Sequence, residues 1–206
     1  MAAGSHTHTP FAVLLLAAGS STRLGRPKQL LDYQGNALLA HSLKVALASQ
    51  AASVIVVLGA HEKSLKDIIN FDGSEVIVNP EWKEGMASSI RCGINTAIEK
   101  HPEVEGVIIM VCDQPKISLI ELQNLFNAHR NSQKPIIASG YANTFGPPVF
   151  FHRSYFKDLL QLKNDVGARA VVRDHPEEVE IIPFPGGAID IDTEADYERL
   201  RRTEHL

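Results

Sequence analysis

The stretch LLLAAGSSTRLGRPKQLL, Leu14 to Leu31, decides the fold and raises the question of what its loop holds. The apolar run Phe11 to Leu16 reads as a strand buried on both faces, the kind found in parallel sheets. Ala17, Ala18, Gly19, Ser20 and Ser21 follow and leave little side chain in the way of a close backbone approach. Arg23, Arg26 and Lys28 then put positive charge beside the exposed N–H groups. Amides and cations together suit phosphate oxygens. The plainer alternative is a basic surface loop after an edge strand.

Two familiar phosphate loops fail here. A Walker A loop needs Gly, four residues and then Gly-Lys-Ser/Thr. In this chain five residues separate Gly19 from Gly25, and Arg26 follows. A dinucleotide fingerprint needs G-x-G-x-x-G, and Ser21 stands where its second glycine belongs.

Outward from the loop, hydrophobic runs and amphipathic segments alternate. Ala37 to Gln50 reads as a helix with Leu39, Leu43, Ala46 and Leu47 on one face, and Ser53 to Gly59 as a second buried strand. Helices at Glu62 to Ile69 and Ala87 to Glu99 (Ile90, Ile94, Ala97 and Ile98 aligned) flank a short strand, Glu75 to Val78. GVIIMVCD, Gly106 to Asp113, is the most apolar strand. Ser118 with Glu121 forms a capping-box pattern for a helix to about Arg130. Pro135 to Ser139 is a further strand.

Strands alternating with helices predict an α/β, three-layer Rossmann-like fold with a mostly parallel central sheet. In such sheets ligands gather beyond the carboxyl ends of the strands. The loop after the first strand and Asp113, at the end of the strand expected at the centre, therefore share one edge. After Gly140 the pattern loosens. Gly146 to Phe151 and helices near Ser154 to Leu162 and Val166 to Arg173 read as an insertion over the sheet. Short strands at Glu178 to Pro183 and Ala188 to Ile191 precede a closing helix, Thr193 to Arg202.

The 206 residues suffice for one substantial core, and residues 11–206 read as a single domain behind a disordered leader, Met1 to Pro10. A net charge of −4 argues against nucleic-acid binding, and no apolar run approaches the ~20 residues of a membrane span. Cys92 and Cys112 lack metal-ligand spacing and read as small core residues. The expected setting is a reducing cytoplasm.

Three features add chemistry to the loop. NPEWKEGMASSI, Asn79 to Ile90, sets a Gly-Met turn and two serines at a helix start, either to grip a nucleotide or as plain N-capping. CDQP, Cys112 to Pro115, ends its strand in a carboxylate. GAIDIDT, Gly187 to Thr193, places Asp190 and Asp192 two apart, on one face if extended. Three carboxylates with a basic glycine loop point to Mg²⁺ bridging to a polyphosphate.

With these pieces the chain resembles the nucleotidyltransferases of GT-A-like, Rossmann-related fold. Within them it is most similar to the molybdenum cofactor cytidylyltransferase family. The resemblance rests on LAAG rather than LAGG in the loop, N-x-x-W-x-x-G-M-x-x-S-I, CDQP and G-P-P-V-F-F. N-D-V-G-A-R at Asn164 to Arg169 and DIDT followed by E-A-D-Y complete it, so that it runs from Phe11 to Arg201. It implies a nucleotide site of Leu16, Ala17, Ala18, Gly19, Ser20, Lys28, Asn79, Gly85, Met86 and Ser88. It implies Arg23, Lys28 and Asp113 as catalytic groups, and Mg²⁺ on Asp113 with Asp192 or Asp190. Gly146, Pro148, Asp165 and Arg169 would face the acceptor, a pterin with a terminal phosphate. Asn164, often Gly in relatives, and Pro147 depart from the pattern on that side.

The implied reaction moves CMP from CTP to the molybdenum cofactor and releases pyrophosphate. A molybdoenzyme or its insertion chaperone would be the downstream partner. The alternatives are another phosphate acceptor (a sugar or polyol phosphate), GTP as donor, a non-catalytic cofactor carrier, or an oxidoreductase. His41, His61, His101, His129, His152 and His175 are scattered and read as surface or packing residues.

Overall fold

The computed structural model describes residues 10–204, so the expected leader, but for Pro10, lies outside the described residues. The chain runs β1 (Phe11–Ala17), the two-residue strands β2 (Asp32–Tyr33) and β3 (Asn36–Ala37), α1 (Leu38–Ala48), β4 (Ser53–Leu58), α2 (Glu62–Ile68) and β5 (Glu75–Val78). It continues through α3 (Met86–Lys100), β6 (Gly106–Val111), α4 (Leu119–Ser132), β7 (Ile136–Tyr141) and β8 (Thr144–His152). The last elements are α5 (Phe156–Gln161), α6 (Arg169–Asp174), β9 (Val179–Pro183) and α7 (Glu194–Glu204).

Seven strands form one sheet in the order β5-β4-β1-β6-β8-β7-β9. Every neighbouring pair is parallel except the two made by β8, which runs antiparallel between β6 and β7. Side chains alternate across β1 as a strand requires. Phe11, Val13, Leu15 and Ala17 face a core shared with Leu39 and Leu43 of α1 and Leu122, Leu125 and Phe126 of α4. Ala12, Leu14 and Leu16 face a second core with Ile90 and Ile94 of α3, Leu159 of α5 and Val171 of α6. Helices cover both faces, which is why β1 is apolar at every position.

The chain leaves β1 toward β4 and β5, then crosses back to place β6 on the other side. Leu16 pairs with Val111, so the loops after β1 and β6 leave from one edge at this reversal. The capping box at Ser118 is present: Glu121 accepts from the Ser118 backbone N–H at 2.9 Å, and the Ser118 hydroxyl accepts from Ile120 N–H at 3.2 Å.

Four expectations need correction. Gly146 to Phe151 is no insertion but part of β8, an interior strand. Its Gly-Pro-Pro start argued against a strand because proline cannot donate to a ladder. The register slips there: Ala138 pairs with Val149 and Ser139 with Gly146, so Pro147 and Pro148 fall in the irregularity where no donor is required. Ala188 to Ile191 is not a strand; a 3₁₀ turn over Pro185–Ala188 leads into an irregular segment. Leu47 and Ile98, assigned to buried faces, are each 39% exposed, because α1 and α3 turn Leu38 and Ala87 inward instead. Cys112 is buried as expected, whereas Cys92 is half-buried at the edge of its core.

Because β8 is interior, Phe150 is fully buried, packed at 4.4 Å from the His129 ring and 6.4 Å from that of Phe126. Phe150→Ala is expected to cost about 3–5 kcal/mol of stability, the range for a core aromatic that leaves a cavity. Denaturant unfolding measures it, and a loss near zero would return the segment to a loose insertion.

Candidate active site

The loop after β1 is shaped from beneath by Gln29, which is only 1% exposed. Its amide nitrogen donates to the carbonyls of Ala17 and Gly19, both at 2.9 Å. Those two bonds tie the carbonyls on either side of Ala18 to one buried amide and so fix the turn. The Ser21 hydroxyl accepts from the Lys28 backbone N–H at 3.1 Å. His61 Nε2 donates to the Ser20 carbonyl at 2.9 Å, which sets the tautomer of that ring. Leu24 and Leu31 anchor the loop in a small cluster with Ile191, Tyr197 and Leu200. Arg26, counted among the phosphate cations from sequence, turns away. It forks onto Glu194 at 2.7 and 3.0 Å and lies 5.5 Å from the Tyr197 ring centroid.

Lys28 turns inward. Its ammonium donates to Asp113 at 2.5 Å and to Asp192 at 3.0 Å, and Arg23 reaches the other Asp192 oxygen at 2.8 Å. Burial alone would lower the Lys28 pKa. The charge of Asp113 and the hydrogen bonds to both carboxylates outweigh it and hold the group above the ordinary lysine range. Lys28 therefore stays charged at any physiological pH. The Cys112 thiol beside it is pushed up to about 12 by burial and then by the charge of Asp113, so it remains a protonated core residue.

The third carboxylate does not join them. Asp190 is exposed and belongs to no ion pair among the described residues. Partial burial, then the charges of Asp192 and Asp113, raise its pKa. The irregular backbone after Ala188 does not hold Asp190 and Asp192 on one strand face. Among the described residues no cluster of three or more His, Cys, Asp or Glu side chains is arranged to hold a metal ion. The carboxylate set narrows to a pair, Asp113 and Asp192.

A cleft of about 580 Å³ opens beside this pair. One wall is Leu16, Ala17, Ala18, Gly19 and Ser20; Lys28, Gln29, Cys112 and Asp113 lie at its base; Trp82, Gly85, Met86, Ser89, Asn164 and Asp165 make the opposite wall. Gly85 has φ +99°, and a Cβ there would stand 2.6 Å from Asp165 Cα, so only glycine fits the turn into α3. That turn is capped from within the chain. Met86 N–H donates to Asp165 Oδ1 at 3.2 Å and Ala87 N–H to the Asn164 carbonyl at 3.2 Å. The backbone donor of Met86, a residue assigned to the nucleotide, thus already has a partner.

Asn79 and Ser88 are buried and do not line the cleft. Asn79 donates to Ser88 at 2.8 Å and Ser89 at 3.1 Å, and Ser88 donates to the Gly85 carbonyl at 2.8 Å. They hold the turn rather than touch what enters it. Asp165, expected with Gly146, Pro148 and Arg169, belongs to the cleft wall instead. Those three form a separate corner: a Cβ on Gly146 would sit 3.4 Å from Arg169 Cδ, and the Ser139 hydroxyl donates to the Pro148 carbonyl at 2.7 Å. Arg169 donates to the Thr144 hydroxyl at 2.5 Å and lies 5.8 Å from the Phe145 ring centroid.

Sequence reasoning missed Gln29, Trp82 and Asn164 as site residues. Gln29 and Trp82 stood inside quoted motifs, but a buried amide leaves no periodic or charge signal. Gln29→Leu keeps comparable bulk and strands two carbonyls, and one unsatisfied buried acceptor costs about 1–3 kcal/mol. We expect a loss of that order in stability. We also expect several-fold weaker binding of inorganic triphosphate by calorimetry, since the turn it shapes would relax. Unchanged triphosphate binding would remove the loop from the site.

The chain is 30% identical over 198 residues to nicotine blue oxidoreductase of Paenarthrobacter nicotinovorans, covering 91% of this chain and 94% of that one. A shorter likeness, 32% over 110 residues, covers 52% of this chain and 51% of a probable molybdenum cofactor guanylyltransferase of Bacillus cereus. The crystal structure of Rv0371c from Mycobacterium tuberculosis superposes with TM-score 0.83 at 31% identity, covering 94% of this chain and 98% of that one. The manganese complex of the same protein superposes with TM-score 0.79 at 28% identity, covering 95% and 100%. Residues 13–179 match the MobA-like NTP transferase domain, and the chain belongs to that family of nucleotidyltransferases.

Proposed function

We propose that this protein transfers CMP from CTP to the terminal phosphate of the molybdenum cofactor and releases pyrophosphate. The observation that carries the reading is Lys28, held between Asp113 and Asp192 at the base of a cleft walled by the Leu16 to Ser20 turn. The backbone N–H groups of that turn and the Arg23 and Lys28 cations suit a triphosphate. Asp165 and the Gly85-Met86 turn face the base and sugar, and Arg169 suits the acceptor phosphate.

The residues present also fit a divalent cation. Asp113 and Asp192 converge on one positive charge, the Lys28 ammonium, and hard carboxylate oxygens in ones or twos are what Mg²⁺ takes. When bound there, Mg²⁺ would neutralise charge on the phosphates of the donor. The manganese complex of Rv0371c supports a divalent ion in this family.

The acceptor phosphate oxygen attacks the α-phosphorus of CTP while the bond from α-phosphorus to the bridging oxygen of the β-phosphate breaks. The electron pair leaves with pyrophosphate. An acceptor phosphate is already ionised near pH 7, so no protein base has to remove a proton. Arg23 and Lys28 hold the triphosphate and stabilise the charge that grows on the leaving group. The cytoplasm, as the compartment of such a substrate pair, is part of this proposal.

The family includes a relative called an oxidoreductase, which favours a second reading. Against it stands the G-x-G-x-x-G pattern that Ser21 breaks. NAD(P)H titration followed by fluorescence separates the two, with no binding expected.

Asp113→Ala is expected to lower kcat on the order of 10²-fold or more with the fold intact. Near-normal turnover at saturating Mg²⁺ would overturn its role. Lys28→Ala is expected to weaken triphosphate binding and slow transfer, whereas Lys44→Ala, exposed on α1, does neither. Equal effects would overturn the phosphate reading.

CTP is expected to be preferred over GTP. Ala18 lines the cleft and packs closely on Gly59, where an added Cβ would stand 2.7 Å from the Ala18 carbonyl and 2.9 Å from the Ala18 methyl. One surplus methyl against a two-ring base costs ~1–3 kcal/mol, or roughly 5- to 150-fold in kcat/KM. Separate incubations with CTP, GTP, ATP and UTP, purified molybdenum cofactor and Mg²⁺, read by mass spectrometry, test donor and acceptor together. A purine preference would overturn the cytidylyl assignment, and product only with a sugar or polyol phosphate would overturn the acceptor.

A further inference from the structure

We infer that Gln114 is a positioning residue that sets the spacing between Asp113 and Asp192. The inference rests on the metal-binding reading of that pair. The two carboxylates arrive on different segments, one on the turn after β6 and the other on the irregular stretch between β9 and α7. Lys28 bridges the two carboxylates, and like charges repel once it is drawn away, so a cation that takes its place needs the two segments held by uncharged bonds as well. Gln114 follows Asp113 directly, is 4% exposed, and donates from its amide to the Gly187 carbonyl at 3.2 Å.

Besides the ion pairs of Asp192 with Lys28 and Arg23, that bond is one of three uncharged hydrogen bonds that fasten the second segment. Phe184 N–H donates to the Gly140 carbonyl at 2.9 Å at its start, and Ile191 N–H donates to the Asp113 carbonyl at 3.0 Å just before Asp192. Gln114 holds the middle. Its acceptor is rigid because Gly187 is pinched between two rings: a Cβ there would stand 2.4 Å from Tyr141 Cδ1 and 2.7 Å from Phe184 Cδ1. The Tyr141 and Phe184 rings meet edge to face at 6.4 Å, which fixes the clamp itself. Gln114 is therefore the side chain that joins the turn carrying Asp113 to a point on the other segment that cannot yield. It does not line the cleft, so its effect passes through the carboxylates.

Gln114→Met keeps the length of the side chain and removes the donor. Mn²⁺ binding to nucleotide-free protein, measured by electron paramagnetic resonance, is expected to weaken roughly 10- to 100-fold, the range for losing a partner behind a metal ligand. CTP binding in EDTA, measured by calorimetry, is expected to stay within about twofold, because the loop after β1 is shaped by Gln29 and not by Gln114. Should Gln114→Met fail to fold, Gln114→Asn, too short to reach Gly187, carries the same comparison. Mn²⁺ affinity unchanged in the variant overturns the inference and spares the metal reading. Parallel losses of Mn²⁺ and metal-free CTP binding also overturn it, since they mark a general structural role. No Mn²⁺ binding by the unsubstituted protein overturns the metal reading, and the inference falls with it.

Discussion

A single buried ammonium, Lys28, holds this site together. It is 14% exposed, and burying a charge without partners is costly, so its place requires anions that come to it. Asp113 supplies one from the end of the central strand and Asp192 the other from the C-terminal part of the chain, 164 residues away in sequence. Arg23 adds a second cation against Asp192, so two positive and two negative groups balance at the base of the cleft.

The fold explains how such distant groups meet. The chain runs from β1 outward to β5 and back to β6, leaving the loops after β1 and β6 on one edge. The C-terminal segment reaches the same edge because α7 packs on the loop after β1, through Tyr197 and Leu200 against Leu24 and Leu31. The Tyr197 hydroxyl donates to the Asp32 carbonyl at 2.9 Å, and Arg26 forks onto Glu194. Arg26 is therefore structural. Its charge looked like part of a phosphate site, and only the position of α7 shows otherwise.

Much of the architecture was legible because it is local. Apolar runs of strand length, helical periodicity and the Ser118–Glu121 capping box each express their own chemistry within a few residues. The strand β8 was not legible, because the proline pair that argues against a strand is tolerated only where the β7–β8 register slips. The capping of α3 was hidden for a similar reason. Its partners, Asn164 and Asp165, are more than seventy residues downstream, and no spacing rule joins them to Met86 and Ala87.

Taken alone, the sequence determined the layer architecture, the edge where the cleft opens and the chemical type of the groups there, because periodicity, turn composition and charge are written in neighbouring residues. Tertiary structure alone decided which charges meet. It turned Lys28 in and Arg26 out, joined Asp192 to Asp113 and left Asp190 in solvent. It also set Asp165 in the cleft wall, apart from Gly146, Pro148 and Arg169, and buried Asn79 and Ser88 beneath the turn they hold. These outcomes depend on distances between remote segments packed on one sheet, and Coulomb attraction and hydrogen bonding act over those distances, not over separation along the chain.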